Sequence, residues 1–265
     1  YRTALSPSVP RRWRAAGDRT GWRDEEHRVV YRDGGAAGAG SDADMDWLVY
    51  HHWRCYASPF PRTAEAPLAD NLGYNQGESR ELQSMGDIVV RLHMTAEGKG
   101  EFAMRVHDGW GWAELRWAAT GTCRVVYGEH EMGDVPVPAG TDWRDCAVEF
   151  GVFDEQVVVA LNQQELVRMP LVREQADRVG EPPTQPVAIG ACHLEVDVSR
   201  LQVWRDVYYL DPAGRGEPWQ TPGRLPDGHV LLLGDNPSLS EDGRVWPGAG
   251  MAHRAIRGRV IPLPW

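Results

Sequence analysis

The chain has 265 residues, 42% of them hydrophobic and 25% charged, with a formal net charge of −10. That is a globular composition, enough for one large or two ordinary domains. It holds no run of eighteen apolar residues to span a membrane, and its acidic balance argues against nucleic acid as a partner.

Residues 1–46 are rich in Pro, Gly and Arg. They read as an irregular segment with one short strand near residues 27–31. Trp13, Trp22 and Trp47 recur along it, and tryptophans in a coil tie the coil to a core. Residues 47–50 read as a strand continued by His51-His52-Trp53. Residues 57–86 return to coil. From Asp87 apolar runs of five to nine residues alternate with turn signals. The runs are 88–94, 101–106, 110–118, 123–127, 145–152, 156–161, 165–169, 187–192 and 194–203. Glu97-Gly98-Lys99-Gly100 reads as a hairpin turn between the first two. Period two with short turns gives antiparallel strands, and this many give a two-sheet sandwich. No stretch of helical period appears, so the fold class is all-β.

Candidate chemistry is sparse. Cys55, Cys123, Cys146 and Cys192 are scattered, without the Cys-x-x-Cys spacing of a zinc site. Cys146 and Cys192 lie in apolar runs and read as small buried hydrophobes; an oxidising compartment would permit a disulfide. His51 and His52 are adjacent on a strand and point to opposite faces. His93 and His107 fall on neighbouring runs but lack a ligand partner at metal spacing. Asp154 and Asn162 are too few oxygens for calcium. No metal or cofactor is expected. Glu195-Val196-Asp197 starts like a glycosidase carboxylate pair, but no second Glu follows at the required spacing. Trp110, Trp112 and Trp117 are the aromatic candidates for a sugar or peptide ligand.

The last forty residues carry the most specific pattern. A Pro226-Asp227-Gly228 turn feeds an apolar strand, residues 229–233. Gly234-Asp235-Asn236 ends it, and Ser240, Asp242 and Arg244 follow, alternating onto one face so that Asp242 and Arg244 can pair. This order resembles the last conserved box of type I signal peptidases, and Ile256-Arg257-Gly258-Arg259-Val260 resembles the strand that closes their catalytic sheet. Pro237-Ser238-Leu239 and Gly243 depart from that pattern. Residues 143–208 resemble the second half of a concanavalin A-like, laminin G-like jelly roll.

The resemblance implies an all-β chain of three parts. Residues 1–46 would pack on a sandwich over 47–212, and 213–265 would supply the peptidase-like strands. The parent would be a membrane-anchored Ser/Lys endopeptidase on the extracytoplasmic face of a bacterial membrane. Its partners would be signal peptides and preproteins. Tyr1 is not a natural start, so the anchor, nucleophile and base would precede it. Gly234, Asp235, Asn236, Ser240, Asp242 and Arg244 would support the active site.

The chain itself cannot run that reaction. Its only lysine, Lys99, lies in a polar turn where nothing would lower its pKa. Ser84-Met85 lacks the Pro of a nucleophile box. A second reading makes the sandwich a non-catalytic binder of glycan or peptide. A third makes it a scaffold that recruits substrate.

Overall fold

A computed structural model describes residues 11–18, 20–25, 28–33, 45–56, 62–70, 82–119, 121–138, 140–171, 182–206, 208–209, 219–220, 223–234, 236–237, 240–248 and 250–258. It is all-β. Contacts divide the chain into two compact units, residues 1–69 with 84–206, and residues 70–83 with 207–265. Among the described residues no helix is long and apolar enough to cross a membrane.

The first unit is organised by two long strands. These are β7 (Ile88–His107) and β14 (Val187–Arg205), paired antiparallel from Val106↔Val187 to Ile88↔Arg205. The expected hairpin turn at residues 97–100 does not form. Glu97 and Gly98 stay in register with Glu195 and Leu194, so the chain bends there without reversing. The bend needs a close approach: a Cβ on Gly100 would meet the Cys192 carbonyl at 1.8 Å. On β14 the matching bulge lies between Cys192 and Leu194, with His193 at φ 52°. A bulge of this kind turns a strand from one sheet into the next.

Each half of this pair therefore belongs to a different sheet. Residues 88–97 and 194–205 lie in sheet I. There β14 continues to β3 (Arg28–Arg32) and β2 (Trp22–Glu25), while β7 continues to β11 (Cys146–Phe153), β12 (Gln156–Leu161) and β13 (Gln164–Pro170). Residues 98–107 and 187–193 lie in sheet II. There β14 continues to β4 (Asp46–Tyr50) and β1 (Trp13–Ala15), while β7 continues to β8 (Trp112–Ala118), β9 (Cys123–Tyr127) and β10 (His130–Asp134). A small separate hairpin pairs β5 (Trp53–Tyr56) with β6 (Arg62–Glu65).

Strands β1 to β3 come from the segment whose composition suggested loop with one short strand. Propensity there is poor, but Trp22 packs at a tilt on Tyr31 at 5.2 Å and Trp13 meets Tyr50 edge-on at 5.3 Å. Tertiary packing of those rings decides the structure where local preference does not.

The core lies between the sheets. Leu92, Met94, Met104, Val106, Phe150, Val152, Ile189 and Val196 are all but fully buried. Burying each such side chain stabilises the fold by about 1.5–3 kcal/mol. A cavity lined by Met94, Met104, Leu115, Trp117, Val148 and Leu161 holds only about 20 Å³, room for about one water and too little for a sugar. The turns joining β11 to β12 and β12 to β13 are two residues long, Asp154-Glu155 and Asn162-Gln163, all at positive φ. That is the primed turn whose twist suits a hairpin. Asn162 Oδ1 accepts the Ala147 N–H at 3.0 Å, so this residue ties a turn to β11.

In the second unit, β15 (His229–Val230) pairs with β16 (Met251–Ala252), followed by a one-turn 3₁₀ helix at His253–Ala255.

Candidate functional site

The site is built on the outward face of sheet II. Along β7, Phe102, Met104 and Val106 point to the core, so Ala103, Arg105 and His107 point out. Along β8, Ala113, Leu115 and Trp117 point in, so Trp112, Glu114 and Arg116 point out. The register sets Arg105 opposite Glu114, and His107 opposite Trp112. Across β14 the outward positions are Ala188 and Gly190, and β4 adds Trp47 opposite Gly190.

This gives a floor of small residues. Ala103 and Ala188 face outward yet are 0% exposed, because larger side chains lie over them. Gly190 is needed for that cover. A Cβ there would stand 2.7 Å from Met45 Cγ and 2.9 Å from Trp47 Cε3. Over the floor the Arg105 guanidinium stacks on two indoles, 4.0 Å from the Trp47 ring centre and 4.7 Å from that of Trp112. Such stacking is electrostatically favourable and strengthens as water is excluded.

The electrostatics of the face are uneven. Glu114 accepts from Arg116 Nε at 2.5 Å. Arg105 Nε is buried without an acceptor. Burial lowers the Arg105 pKa and the Glu114 carboxylate offsets this only in part. His107 Nδ1 accepts the Gly109 N–H at 3.0 Å, which places the neutral ring's proton on Nε2, and the ring meets Trp112 edge-on at 5.0 Å. Burial pulls the His107 pKa down against the pull of Asp108, keeping the imidazole neutral. Buried Asp108 organises the adjoining turn. Its carboxylate accepts the N–H groups of Trp110 and Gly111 at 2.8 and 2.9 Å and the Tyr127 hydroxyl at 3.0 Å.

The three tryptophans singled out by sequence fall in three places. Trp112 is part of this stack. Trp110 sits in the turn before β8, and its backbone rather than its ring makes the contact to Asp108. Trp117 is not available to a ligand. It lies five residues from Trp112 on the same strand, hence on the opposite face, where it is 5% exposed and packs on Trp143 at 4.1 Å. Trp47 and Arg105 were missed. The signal was there in the period-two parity of 102–107 and 112–117, read only for its apolar half.

The other candidates are occupied. His51 Nδ1 meets Glu65 at 2.8 Å, and His52 Nδ1 donates to the Ala66 carbonyl at 3.1 Å. His93 and His107 lie on one strand, in different sheets; His93 pairs with Asp145 at 3.0 Å. Among the described residues no cluster of three metal-ligating side chains occurs. The Asp197 carboxylate is held by Arg32 at 2.6 Å and Arg28 at 3.1 Å, with Glu195 3.7 Å from Arg32. Two carboxylates so engaged are not a free acid and base. None of the four cysteines is in a disulfide; Cys146 is buried and Cys192 half-buried.

In the second unit Asp242 and Arg244 form a buried pair, Nε to Oδ1 at 2.8 Å and Nη2 to Oδ2 at 3.0 Å, with both side chains at most 5% exposed. Asp242 also accepts the Gly234 N–H at 2.8 Å, and Arg244 donates to the Pro237 carbonyl at 2.6 Å. Ser240 packs against Gly234 so closely that a Cβ there would meet its Oγ at 1.9 Å, and its N–H donates to the Asn236 carbonyl. Asp235 lies outside the described residues.

No protein-family model matches the chain, and no curated protein matches it. Solved structures with a similar arrangement are β-sandwich proteins. A carbohydrate-binding module of family 66 from Bacillus subtilis is 8% identical, with 72% of this chain and 94% of that chain covered and a TM-score of 0.42. A Bacillus subtilis protein of unknown function with a galectin-like fold is 12% identical, covering 72% and 88%, at 0.39. An alginate lyase of polysaccharide lyase family 7 is 10% identical, covering 69% and 81%, at 0.37. Likenesses this distant do not bear on function.

The signal peptidase membership expected from the C-terminal residues is corrected by these findings: no signal peptidase stands among the neighbours and no family supports it. The geometry gives the reason. The expected strand 229–233 shortens to His229–Val230, paired with Met251–Ala252, and residues 256–258 form no strand. Gly234, Asn236, Ser240, Asp242 and Arg244 serve to hold a loop together. With the family goes the expectation of signal peptides and preproteins as partners.

Proposed function

We propose that the sandwich is a non-catalytic carbohydrate-binding module whose ligand lies on the outward face of sheet II. The observation that carries this reading is the Trp47–Arg105–Trp112 stack over a floor of Ala103, Ala188 and Gly190. A sugar ring offers an apolar face and a rim of hydroxyls. Partly exposed indoles answer the first, and the planar Arg105 with the neighbouring Glu114–Arg116 pair answers the second. Glu114, the carboxylate across from Arg105, is held by Arg116, and a carboxylate so held fits a binding face.

The test is a glycan array followed by titration of the intrinsic fluorescence. Trp112→Ala is expected to weaken the best ligand at least about tenfold, the equivalent of ~1.4 kcal/mol. Trp204→Ala, removing a 53% exposed tryptophan elsewhere on the sandwich, is expected to change nothing. Equal losses from both variants, or no glycan bound at all, would overturn the reading.

A further inference from the structure

We infer that the glycan taken by this face is acidic, and that its carboxylate docks on the outer edge of Arg105. The inference rests on the binding reading above and names the class of sugar. Arg105 stands on β7 with its guanidinium between two indoles, so a large part of its hydration shell is gone. Among the described residues no side-chain acceptor or carboxylate holds it. Its Nε is sealed and unpartnered, while among the described residues its two Nη groups take no acceptor and do not count among the sealed atoms. The one carboxylate directly across the strand, Glu114, is committed to Arg116.

Several strand arginines of the sandwich are answered by carboxylates, while Arg14 and Arg54 each stack on a single ring and Arg205 donates to the Ala69 carbonyl. Arg28 and Arg32 share Asp197, Arg91 meets Glu149 at 2.8 Å, and Arg124 meets Glu131 at 3.3 Å. A desolvated guanidinium with donors turned outward is a receptor for an oxyanion, and its planar fork matches a carboxylate. The indoles on either side hold the fork in one plane, so little freedom is lost when the anion arrives. A uronate residue supplies both parts: a ring to lie on indole and a carboxylate to meet Nη. A sulfate ester offers the same charge on a different frame.

The experiment uses the full chain and three probes: an oligogalacturonate of three residues, the same oligomer as its methyl ester, and a sulfated neutral oligosaccharide of equal length. The ester keeps the ring and hydroxyls and removes only the charge. The acid is expected to bind on the order of ten- to a hundredfold tighter than the ester. That ratio should shrink as salt is raised from 50 to 500 mM. Arg105→Gln should bring the ratio close to one, and Arg105→Lys should restore part of it. Preference for the sulfated probe would overturn the carboxylate assignment. Equal binding of acid and ester by the unmodified chain would overturn the inference yet leave the binding reading standing. Failure of all three probes, with neutral glycans bound on the array, would also overturn it. Failure of every glycan would remove the reading beneath it. The acid-to-ester ratio of the unmodified chain decides the matter even where a variant fails to fold.

Discussion

Arg105 in the sandwich and Arg244 in the second unit are two shielded guanidiniums with opposite settings. Arg244 is answered from within: a bidentate carboxylate, a backbone carbonyl, and the ring of Tyr209 at 5.3 Å. Among the described residues Arg105 has two rings and the distant charge of Glu114, with no hydrogen-bond acceptor on its Nε. The first arrangement fixes a loop and leaves no donor in that fork for a ligand. The second leaves donors waiting. A buried charge that its own fold satisfies is structural, and one that the fold only stacks is available for recognition.

Breaking the saturated pair should have the largest effect. Asp242→Ala leaves Arg244 buried without its anion, at a cost of about 3–5 kcal/mol. Hydrogen exchange at the Gly234 amide, which now donates to Asp242, should accelerate by two or more orders of magnitude. The same pair should make this unit acid-sensitive. Burial alone would raise the Asp242 pKa, but Arg244 and the N–H groups of Gly234 and Arg244 outweigh it and hold the carboxyl well below its usual range. A depressed carboxylate pKa contributes stability above the unfolded value near 4, and that stability drains as pH falls below it.

The sandwich has a different pH response. Burial, with Arg12 and Arg205 nearby, lowers the His52 pKa to about 4. Unfolded chains take up that proton near pH 6.5 while the folded one does not, so stability falls as pH drops from about 6.5 to 4. The loss should be about 2–3 kcal/mol by urea titration, and His52→Gln should remove that slope. A slope unchanged in the variant would assign the acid response elsewhere.

A smaller change sharpens the contrast at the binding face. Gly190→Ala must displace Trp47 or Met45. It should cost about 1–2 kcal/mol in stability and weaken glycan binding several-fold. The smallest effect is expected at the exposed Glu165–Arg168 pair. Glu165→Ala should change the melting point by less than about 1 °C, since such surface pairs contribute little.

The all-β fold was legible because alternation over 148–152, 156–161 and 194–198 leaves few other architectures. The continuity of β7 and β14 was not. Gly98 and Gly100 read as turn residues, and only the facing bulge at His193 shows that they mark a bend between sheets. The Asp242–Arg244 pair followed from their spacing, whereas its burial depended on Gly234 and Pro237 closing over it. The family resemblance misled because a short motif of Gly, Asp, Asn and Ser describes a turn as well as an active-site loop. Trp112 was named from the sequence, but its partners in the stack escaped notice for a different reason. Trp47 is separated by more than fifty residues from Arg105 and Trp112, and only strand order β4–β14–β7–β8 brings them together.

The most direct measurement is an indole N–H spectrum of the full chain, with its twelve tryptophans, recorded during titration with an oligogalacturonate. The account predicts that the Trp47 and Trp112 resonances move with the added ligand while those of Trp117 and Trp143, inside the sandwich, stay still. Movement confined to Trp204, or to tryptophans of the second unit, would contradict it.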